Sequence, residues 1–476
     1  MMKKFEKTED LLKFIGEFAD EYGTEVYVVG GYVRDRILGI EVKDIDFTVI
    51  NNGVDFAEKL AGRLGVRKVV KFQKFGTCLI PFVDYKLEFV QARSETYEPD
   101  SRKPVVTDGD LQTDLERRDF TINTLAQRLT AEGIGETIDE FNGYADLTEN
   151  KIIRTPLDPE QTFDDDPLRM IRAIRFVTRF GFSLDNKALK AIKKKKDRIR
   201  IVSQERITDE FINILMTDKP SKGLGLLHDT GLLDILFPEL ANLVGIDQRG
   251  AYHHKDVWRH TIKVVDNVAK VSDRIDLRLA ALYHDIAKPD TKRFVEDVGW
   301  TFHGHEVLGA RMIGPIIMRL KLPKDYIQYL DKLIRMHLRL ISLSDEGVTD
   351  SAIRRLMADA GNDIDELLVL CKADITSGNP KRVKKHLKNF DYVIERMGEV
   401  KELDAFREFK SPVDGNEIMK TFGISPSPVI GEIKKFIEEA ILDGEIPNEH
   451  DAAYEYMQKH KGRFLHAGMD NKIHKK

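Results

Sequence analysis

Near Phe163 the hydrophobic pattern of this 476-residue chain changes its period, and that change limits what the chain can fold into. Between Glu25 and about Val90 the apolar runs are short and β-rich: "EVYVVGG", "DIDFTVI", "KVVKFQKFGTCLIPF" and "YKLEFVQAR". Gly, Asn and Asp separate them, as in a small sheet accompanied by a few helices. "DFAEKLAGRLG", between the second and third runs, reads as one such helix closed by Gly65. Beyond Phe163, "DDPLRMIRAIRFVTRFGF", "RLAALYHDIAK" and "VIGEIKKFIEEAILDG" place apolar residues at i, i+3, i+4 and i+7, so the remainder is expected to be helical. The fold class is therefore α+β, with the sheet in the N-terminal part. Residues 97–110 and 411–417 read as loops.

The length suggests about three domains. Charged residues make up 33% of the chain, with 75 basic against 80 acidic and a formal net charge of -5. That balance excludes a uniformly basic nucleic-acid binder, though not a local basic surface. The runs "KKKKDRIR" (193–200) and "KRVKKHLK" (381–388) fit either solvated helix faces or an RNA-facing surface. Two cysteines, Cys78 and Cys371, lie far apart with no CxxC partner, which argues against a disulfide framework or a thiolate metal site and fits a reducing cytoplasm. The N-terminal "MMKKFEKTEDLLKFIGEF" alternates charged and apolar residues at helical spacing, unlike a signal peptide. No apolar run approaches the roughly eighteen residues of a membrane helix, so no membrane partner is expected.

The segment "YVVGGYVRDRILGIEVKDID" (27–46) concentrates unusual chemistry. Asp44 and Asp46 alternate on a strand, so both carboxylates project from one face. Two like charges that close repel unless a cation lies between them, and grouped oxygen ligands suit Mg²⁺ with a substrate phosphate. Glu88, on a later strand, is placed to bring a third carboxylate. Gly30 and Gly31 let backbone approach a phosphate, Arg34 is placed to neutralise triphosphate charge, and Asp35 to hold Arg34 or start a helix. The plain alternative is a strand-turn-helix with a solvent-exposed "DID". Further on, Asp166, Arg169, Arg172 and Arg175 fall every third residue along one broad side of an expected helix. They read either as an ion-paired surface or as base-reading groups. A carboxylate accepts from exocyclic amines and an arginine donates to ring acceptors. One Asp-Arg pair can thus accept C and A while rejecting U and G.

"GGYVRDRILGIEVKDIDFTV" resembles the signature of the class II tRNA nucleotidyltransferases and bacterial poly(A) polymerases, within the polymerase-β-like nucleotidyltransferase superfamily. The resemblance implies that Asp44 and Asp46 bind catalytic Mg²⁺ and that Glu88 stands at the third acidic position. "DLERRDFTINTLA" (114–126) matches the next motif. It implies Arg117 and Arg118 for phosphates, Asp119 for orienting an arginine and Asn123 for sugar or phosphate. Asp166 and Arg169 match the second acid and the arginine of the family's ED-x-x-R template, with Asp165 where glutamate is usual. The long loop in "ARSETYEPDSRKPVVTDGD" favours complete CCA addition, because CC-adding members are usually shortened there. The tail 414–457 resembles the family's RNA-binding region, and Gly423 with "SPSPVIG" fits a turn and a helix N-terminus.

In the helical half, "VWRHTIKV", "LYHDIAK", "FHGHE", "RMHLRL" and "CKADITSG" supply His260, His284, Asp285, His303, His305, His337 and Asp374. Imidazoles and carboxylates in this number suit a divalent metal whose identity they do not select. Their order resembles the HD phosphohydrolase superfamily, which implies His260, His284, Asp285 and Asp374 as ligands, with His305 and His337 as additional ones. His254 and His303 compete for those places, and Lys288 is positioned for a phosphate. The domain implies metal-dependent phosphatase or 2′,3′-cyclic phosphodiesterase activity.

The chain is thus expected to comprise a nucleotidyltransferase head (1–155), an all-α neck (156–245), an HD-type body (246–395) and a helical tRNA-binding tail (396–476). The expected reaction adds CCA to the tRNA 3′ end from CTP and ATP. Rival readings are a poly(A) polymerase, an HD phosphohydrolase with a nucleotide-sensing head, and a non-catalytic RNA-binding protein. The Asp44, Asp46 and Glu88 set disfavours the last two.

Overall fold

The first ordered helix, Thr8–Tyr22, forms because Leu11, Leu12, Ile15, Phe18 and Ala19 recur on one face and are buried there. Gly23, at φ 79°, ends it by donating its N–H to Ala19 O at 2.9 Å. The computed structural model describes residues 3–73, 76–96, 105–246, 256–296, 298–340, 349–376, 380–404 and 411–465. They belong to two units, Met1–Ala241 and Asn242–Lys476. Apart from residues 242–245, the expected head and neck share the first unit, and the expected HD body and tail share the second.

In the first unit the strands are β1 (Val26–Val29), β2 (Asp44–Val49), β3 (Val70–Phe72), β4 (Thr77–Phe82), β5 (Tyr85–Gln91), β6 (Arg93–Thr96), β7 (Val105–Asp108), β8 (Ala126–Thr130), β9 (Gly133–Ile138), and the short β10 (Ile152–Ile153) and β11 (Ser183–Leu184). Seven of them make one sheet in the order β3-β4-β5-β2-β1-β8-β9. Within this sheet only the β2–β5 pair is parallel. A parallel neighbour needs a crossover, and the helix Gly53–Leu64 begins it. This helix buries Phe56, Ala57, Leu60 and Leu64 and is capped by Gly65 at φ 80°, where the sequence put its end. Phe47 of β2 stacks on Phe89 of β5 at 4.5 Å, which anchors the parallel pair.

Three readings of the sequence are corrected here. The run "KVVKFQKFGTCLIPF" is two strands, β3 and β4, paired as a hairpin. Residues 105–108, read as loop, form β7 and pair with β6, while 97–104 lie outside the described residues. Asp166 does not sit on the arginine-rich helix: that helix runs Leu168–Phe180, and Asp166 is extended at φ -137°. The cause is local, since a residue directly before a proline, here Pro167, is pushed out of the α region.

The basic run 193–200 is largely ion-paired: Lys194 meets Glu160 at 2.6 Å, Arg198 meets Asp164 at 3.0 Å, and Lys195 also pairs with Asp164. The second unit packs the helices Val257–Ala269, Ile275–Tyr283, His305–Arg319, Asp325–Met336 and Ile364–Asp374, followed by the long helix Pro380–Asp404. The tail helices Gly415–Phe422, Pro428–Leu442 and His450–Lys459 bury their own cluster around Ile418, Ile433, Ile437 and Met457. Gly423, at φ 65°, closes the first of them. Among the described residues no helix is long and apolar enough to cross a membrane.

Gly16 shows how tightly the first helix meets the sheet: a Cβ there would lie 2.2 Å from the β8 carbonyl of Thr130. Gly16→Ala is expected to cost about 1–3 kcal/mol through overpacking against backbone. Gly62→Ala, on the Gly53–Leu64 helix with open space around it, should instead stabilise by up to about 1 kcal/mol. Thermal unfolding of the two variants should move in opposite directions.

Candidate active sites in the two units

Asp44 and Asp46 leave one face of β2, and the register opposes Asp46 to Glu88 on β5 and Asp44 to Lys86. Directly opposed residues share a face, so the three carboxylates cluster as the sequence suggested. Lys86 Nζ lies 3.7 Å from Asp44. Loss of water and repulsion from Asp44 raise the Asp46 carboxyl, against Arg118 and Arg34, which lower it. Glu88 is likewise raised, first by desolvation and then by Asp46. A cluster with unfavourable mutual charge fits divalent cations with oxygen ligands.

Arg34 is placed differently from the expectation of a phosphate-facing side chain. It is buried, donates to both carboxylate oxygens of Asp35 at 2.7 and 2.8 Å, and donates to Asn123 Oδ1 at 2.5 Å. Its guanidinium carbon lies 5.2 and 5.1 Å from the rings of Phe176 and Phe180. Burial explains this, because a guanidinium away from water needs a carboxylate and planar partners. Gly30, at φ 67°, meets the side chain of Arg118: an added Cβ would lie 2.7 Å from its Nη1. The glycine therefore admits an arginine as well as an unusual backbone conformation. Gly31 opens the helix Gly31–Ile37.

From Arg34 a chain of charge runs through the unit. Asn123 Nδ2 donates to Asp119 Oδ1 at 2.8 Å, and Arg172 donates to Asp119 Oδ2 through Nε and Nη2 at 2.8 and 2.6 Å. Arg172 reaches Glu210 at 3.4 Å, and Arg175 Nε lies 2.6 Å from the other oxygen of Glu210. At the opposite end Arg179 donates to Asp35 at 3.2 Å. Burial alone would raise Asp119, but Arg172, Asn123 and Arg169 bring it down to about 2. Arg172 and Arg175, read from the sequence as nucleotide contacts, are thus engaged with carboxylates of the unit itself. Arg117 and Arg118 both grip the fully buried Asp114, Arg118 at 3.0 Å, and Thr48 of β2 donates to the same carboxylate at 3.1 Å.

Asp166 and Arg169 are half-buried neighbours that do not pair through their side chains. Asp166 Oδ1 accepts the Leu168 N–H at 3.2 Å and Oδ2 accepts from Arg206 at 3.0 Å. Arg169 Nη2 donates to the Arg117 carbonyl at 2.5 Å and Nη1 to the Thr162 carbonyl at 3.4 Å. The sequence reading missed Asp114, Arg206 and Glu210. Asp114 had a signal in its i+3 and i+4 spacing to two arginines. Arg206 and Glu210 had one in their i, i+4 placement beside the buried Ile207 and Phe211.

In the second unit, His260, His284, Asp285, His305, His337 and Asp374 converge. His260 Nε2 lies 2.8 Å from Asp374 Oδ1 and 3.2 Å from His284 Nε2. Asp285 Oδ2 is 3.2 Å from His284 Nε2, and Oδ1 is 3.2 Å from His305 Nε2 and 3.8 Å from His337 Nε2. The Nδ1 atoms of His284, His305 and His337 face the carbonyls of Ala281, Phe302 and Ile334 at 2.8, 2.7 and 2.6 Å. That contact places the proton on Nδ1 and turns Nε2 inward. Both oxygens of Asp285 and the Nε2 atoms of His305 and His337 are buried, and the groups close to them make no well-directed hydrogen bond. Two trios, His260–His284–Asp285 and Asp285–His305–His337, each bring ligand atoms within 4.8 Å of one another, so the residues fit divalent metal with Asp285 shared. Lys288 Nζ sits 2.7 Å from Asp285 Oδ2. Burial would lower His284, but Asp285 and Asp374 raise it to about 10, whereas burial and the charge on His284 lower His337 to about 4. His303 is exposed on a turn outside both trios, and His254 lies outside the described residues.

Folding holds the Asp119 pKa near 2, below its ordinary 3.8, so the group adds stability above about pH 4 that is lost as the pH falls through 2. Asp119→Asn should therefore lower stability at pH 7 by about 2 kcal/mol. The gap to the parent protein, read as Tm, should close as the pH drops from 4 to 2.

Three family models match the chain: "Poly A polymerase head domain" over residues 26–154, "Probable RNA and SrmB- binding site of polymerase A" over 181–243, and "HD domain" over 257–379. A multifunctional CCA protein of Psychromonas ingrahamii is 30% identical over 83% of this chain and 95% of its own length. An A-adding tRNA nucleotidyltransferase of Geobacter sulfurreducens is 38% identical over 57% of this chain, but that match spans only 29% of the relative's length. Among solved structures, a CCA-adding enzyme in complex with CTP superposes with a TM-score of 0.62 at 25% identity, covering 94% of each chain. With its head, RNA-binding and HD segments in this order, the chain belongs to the family of CCA-adding tRNA nucleotidyltransferases.

Proposed function

We propose that the protein adds nucleotides to the 3′ end of tRNA, completing CCA from CTP and ATP with release of pyrophosphate. The observation that supports this best is the register that opposes Asp46 to Glu88 with Asp44 on the same face. In the reaction the tRNA 3′-hydroxyl gives up its proton to solvent as its oxygen bonds to the α-phosphorus, the bond to the bridging oxygen breaks, and pyrophosphate leaves with the negative charge. Asp44 and Asp46, with Glu88 adjoining, would hold Mg²⁺, which would supply activation of the hydroxyl and neutralisation of the leaving group. Arg117 and Arg118, fixed by Asp114, are positioned for triphosphate oxygens. Arg34, Asp35, Asp119, Asn123, Arg172 and Arg175 hold the base-reading segment against the catalytic strands. Asp166 and Arg169 accept the amino group and donate to the ring acceptors shared by C and A, with Arg206 orienting Asp166. Gly30 and Gly31 leave room at the turn. The reading of complete CCA addition rests on the segment between β5 and residue 110; an A-adding relative makes single-A addition the outcome to be tested against it.

In the second unit His260, His284, Asp285, His305, His337 and Asp374 support metal-dependent hydrolysis of phosphate esters, with Lys288 at its edge. Buried free thiols at Cys78 and Cys371 suit a reducing, cytoplasmic setting.

Purified protein with Mg²⁺, tRNA lacking its last three nucleotides, and labelled CTP and ATP is expected to stop after CCA. A long A tail indicates a poly(A) polymerase, and addition only to a tRNA ending in CC indicates an A-adding enzyme. Asp46→Ala should abolish addition yet spare metal-dependent phosphate release, whereas Asp285→Ala should do the reverse; loss of both activities in either variant contradicts two separate sites. Arg206→Ala should raise UTP misincorporation roughly tenfold by freeing Asp166, since one such base contact is worth about 1–3 kcal/mol.

A further inference from the structure

Between Lys288 and His305 the chain forms a small hairpin, Arg293–Val295 paired antiparallel with Gly299–Thr301, that the metal cluster does not use. Its register opposes Phe294 to Trp300, and the two rings meet edge to face at 5.3 Å. Neither ring is sheltered: Phe294 is 66% exposed and Trp300 38%. Val295 and Val298 are exposed beside them. A hairpin of this length gains little from leaving two aromatic rings in water, so the patch calls for an occupant.

The surrounding charge identifies its chemistry. Lys292 Nζ lies 4.4 Å from the centre of the Trp300 ring and Arg293 is exposed on the strand that carries Phe294, while the one described acid of the hairpin, Glu296, is exposed beyond that strand at the turn. Aromatic faces flanked by cations recognise single-stranded nucleic acid, bases on rings and phosphates on cations. The hairpin also leads into the metal cluster. The strand Gly299–Thr301 runs into Phe302, whose carbonyl faces His305 Nδ1 at 2.7 Å. Lys288 Nζ, 2.7 Å from Asp285, lies 5.7 Å from the Phe302 ring. From Lys288 the chain of contacts thus reaches Phe302, two residues on from Trp300.

We propose that Phe294 and Trp300 form a stacking platform for the terminal base of a single-stranded RNA 3′ end bearing a phosphate, with Lys292 and Arg293 at its backbone. This rests on the phosphohydrolase reading of the second unit and adds to it the residues that hold the base of its substrate. The test pairs adenosine 2′,3′-cyclic phosphate, the smallest such end, with 1-O-methylribose 2′,3′-cyclic phosphate, which lacks the base. Full-length protein is loaded with a divalent metal. Phe294→Ala should raise KM for the adenosine compound about tenfold and leave the base-free one unchanged. Phe294→Tyr should behave as the parent, and Phe294→Leu, apolar without a π face, as the alanine variant. Equal effects on both compounds, or none, overturn the platform.

If the parent hydrolyses neither compound, the phosphohydrolase reading fails by itself. The platform is then judged by quenching of Trp300 emission with a five-nucleotide RNA carrying a 3′-phosphate, corrected with Trp300→Phe. Quenching that Phe294→Ala weakens about tenfold supports it, and no quenching overturns it. Sedimentation of the parent and Phe294→Ala completes the test: a dimer that the variant dissolves, without change in nucleotide binding, assigns the patch to a second copy of the chain and overturns the proposal.

Discussion

The first unit depends on a chain of paired charge that is largely buried and reaches the surface at Arg179. Arg179, Asp35, Arg34, Asn123, Asp119, Arg172, Glu210 and Arg175 succeed one another at hydrogen-bonding or ion-pairing distance. These residues come from four places: the helix Gly31–Ile37, the segment after residue 114, the helix Leu168–Phe180 and the helix Gln204–Leu215. Each buried charge is tolerable only because its neighbour is present, so the four segments have little freedom to move independently. Geometry of that kind is what a nucleotide-selecting site needs, because discrimination by hydrogen bonds fails when donors and acceptors drift. Asp166 and Arg169, at the end of this assembly, are held by Arg206 and by two backbone carbonyls.

The second unit solves a similar problem with backbone groups. Three histidines are each turned by a carbonyl three residues upstream, so their free nitrogens point at one acid, Asp285. The helix provides that carbonyl wherever a histidine sits in or just beyond its last turn, as His284 and His337 do. Asp285 and Asp374 raise the His284 imidazole well above its ordinary range against its burial, so the two acids favour positive charge beside them. Metal ions fit the same place because they supply the same charge to the same ligand atoms.

Much of this was legible along the chain. Period-2 and period-3.6 patterns located the sheet and the helices, and alternation put Asp44 and Asp46 on one face. The histidines and aspartates of the second unit were recognisable by type and number. Other features were not. Arg34 looked like a phosphate ligand because nothing local tells a buried arginine from an exposed one; its environment is set by Phe176 and Phe180, more than 140 residues downstream. The arginine row on Leu168–Phe180 looked like a set of nucleotide contacts until Asp119 and Glu210 were seen to occupy it. Pro167 should have warned that Asp166 was outside that helix.

The sequence by itself determined which residue types are available and, through spacing, which of them share a local face: paired carboxylates on one strand, arginines on one helix, glycines at one turn. Those relations follow from backbone geometry and need no tertiary contact. Only the tertiary structure decided how the charges pair. It opposed Glu88 to Asp46 through a parallel register, gave Arg172 to Asp119 and Arg206 to Asp166, and gathered six candidate ligands from five helices and the turns at their ends. Pairing energy depends on burial and separation in space, and neither is a property of sequence distance.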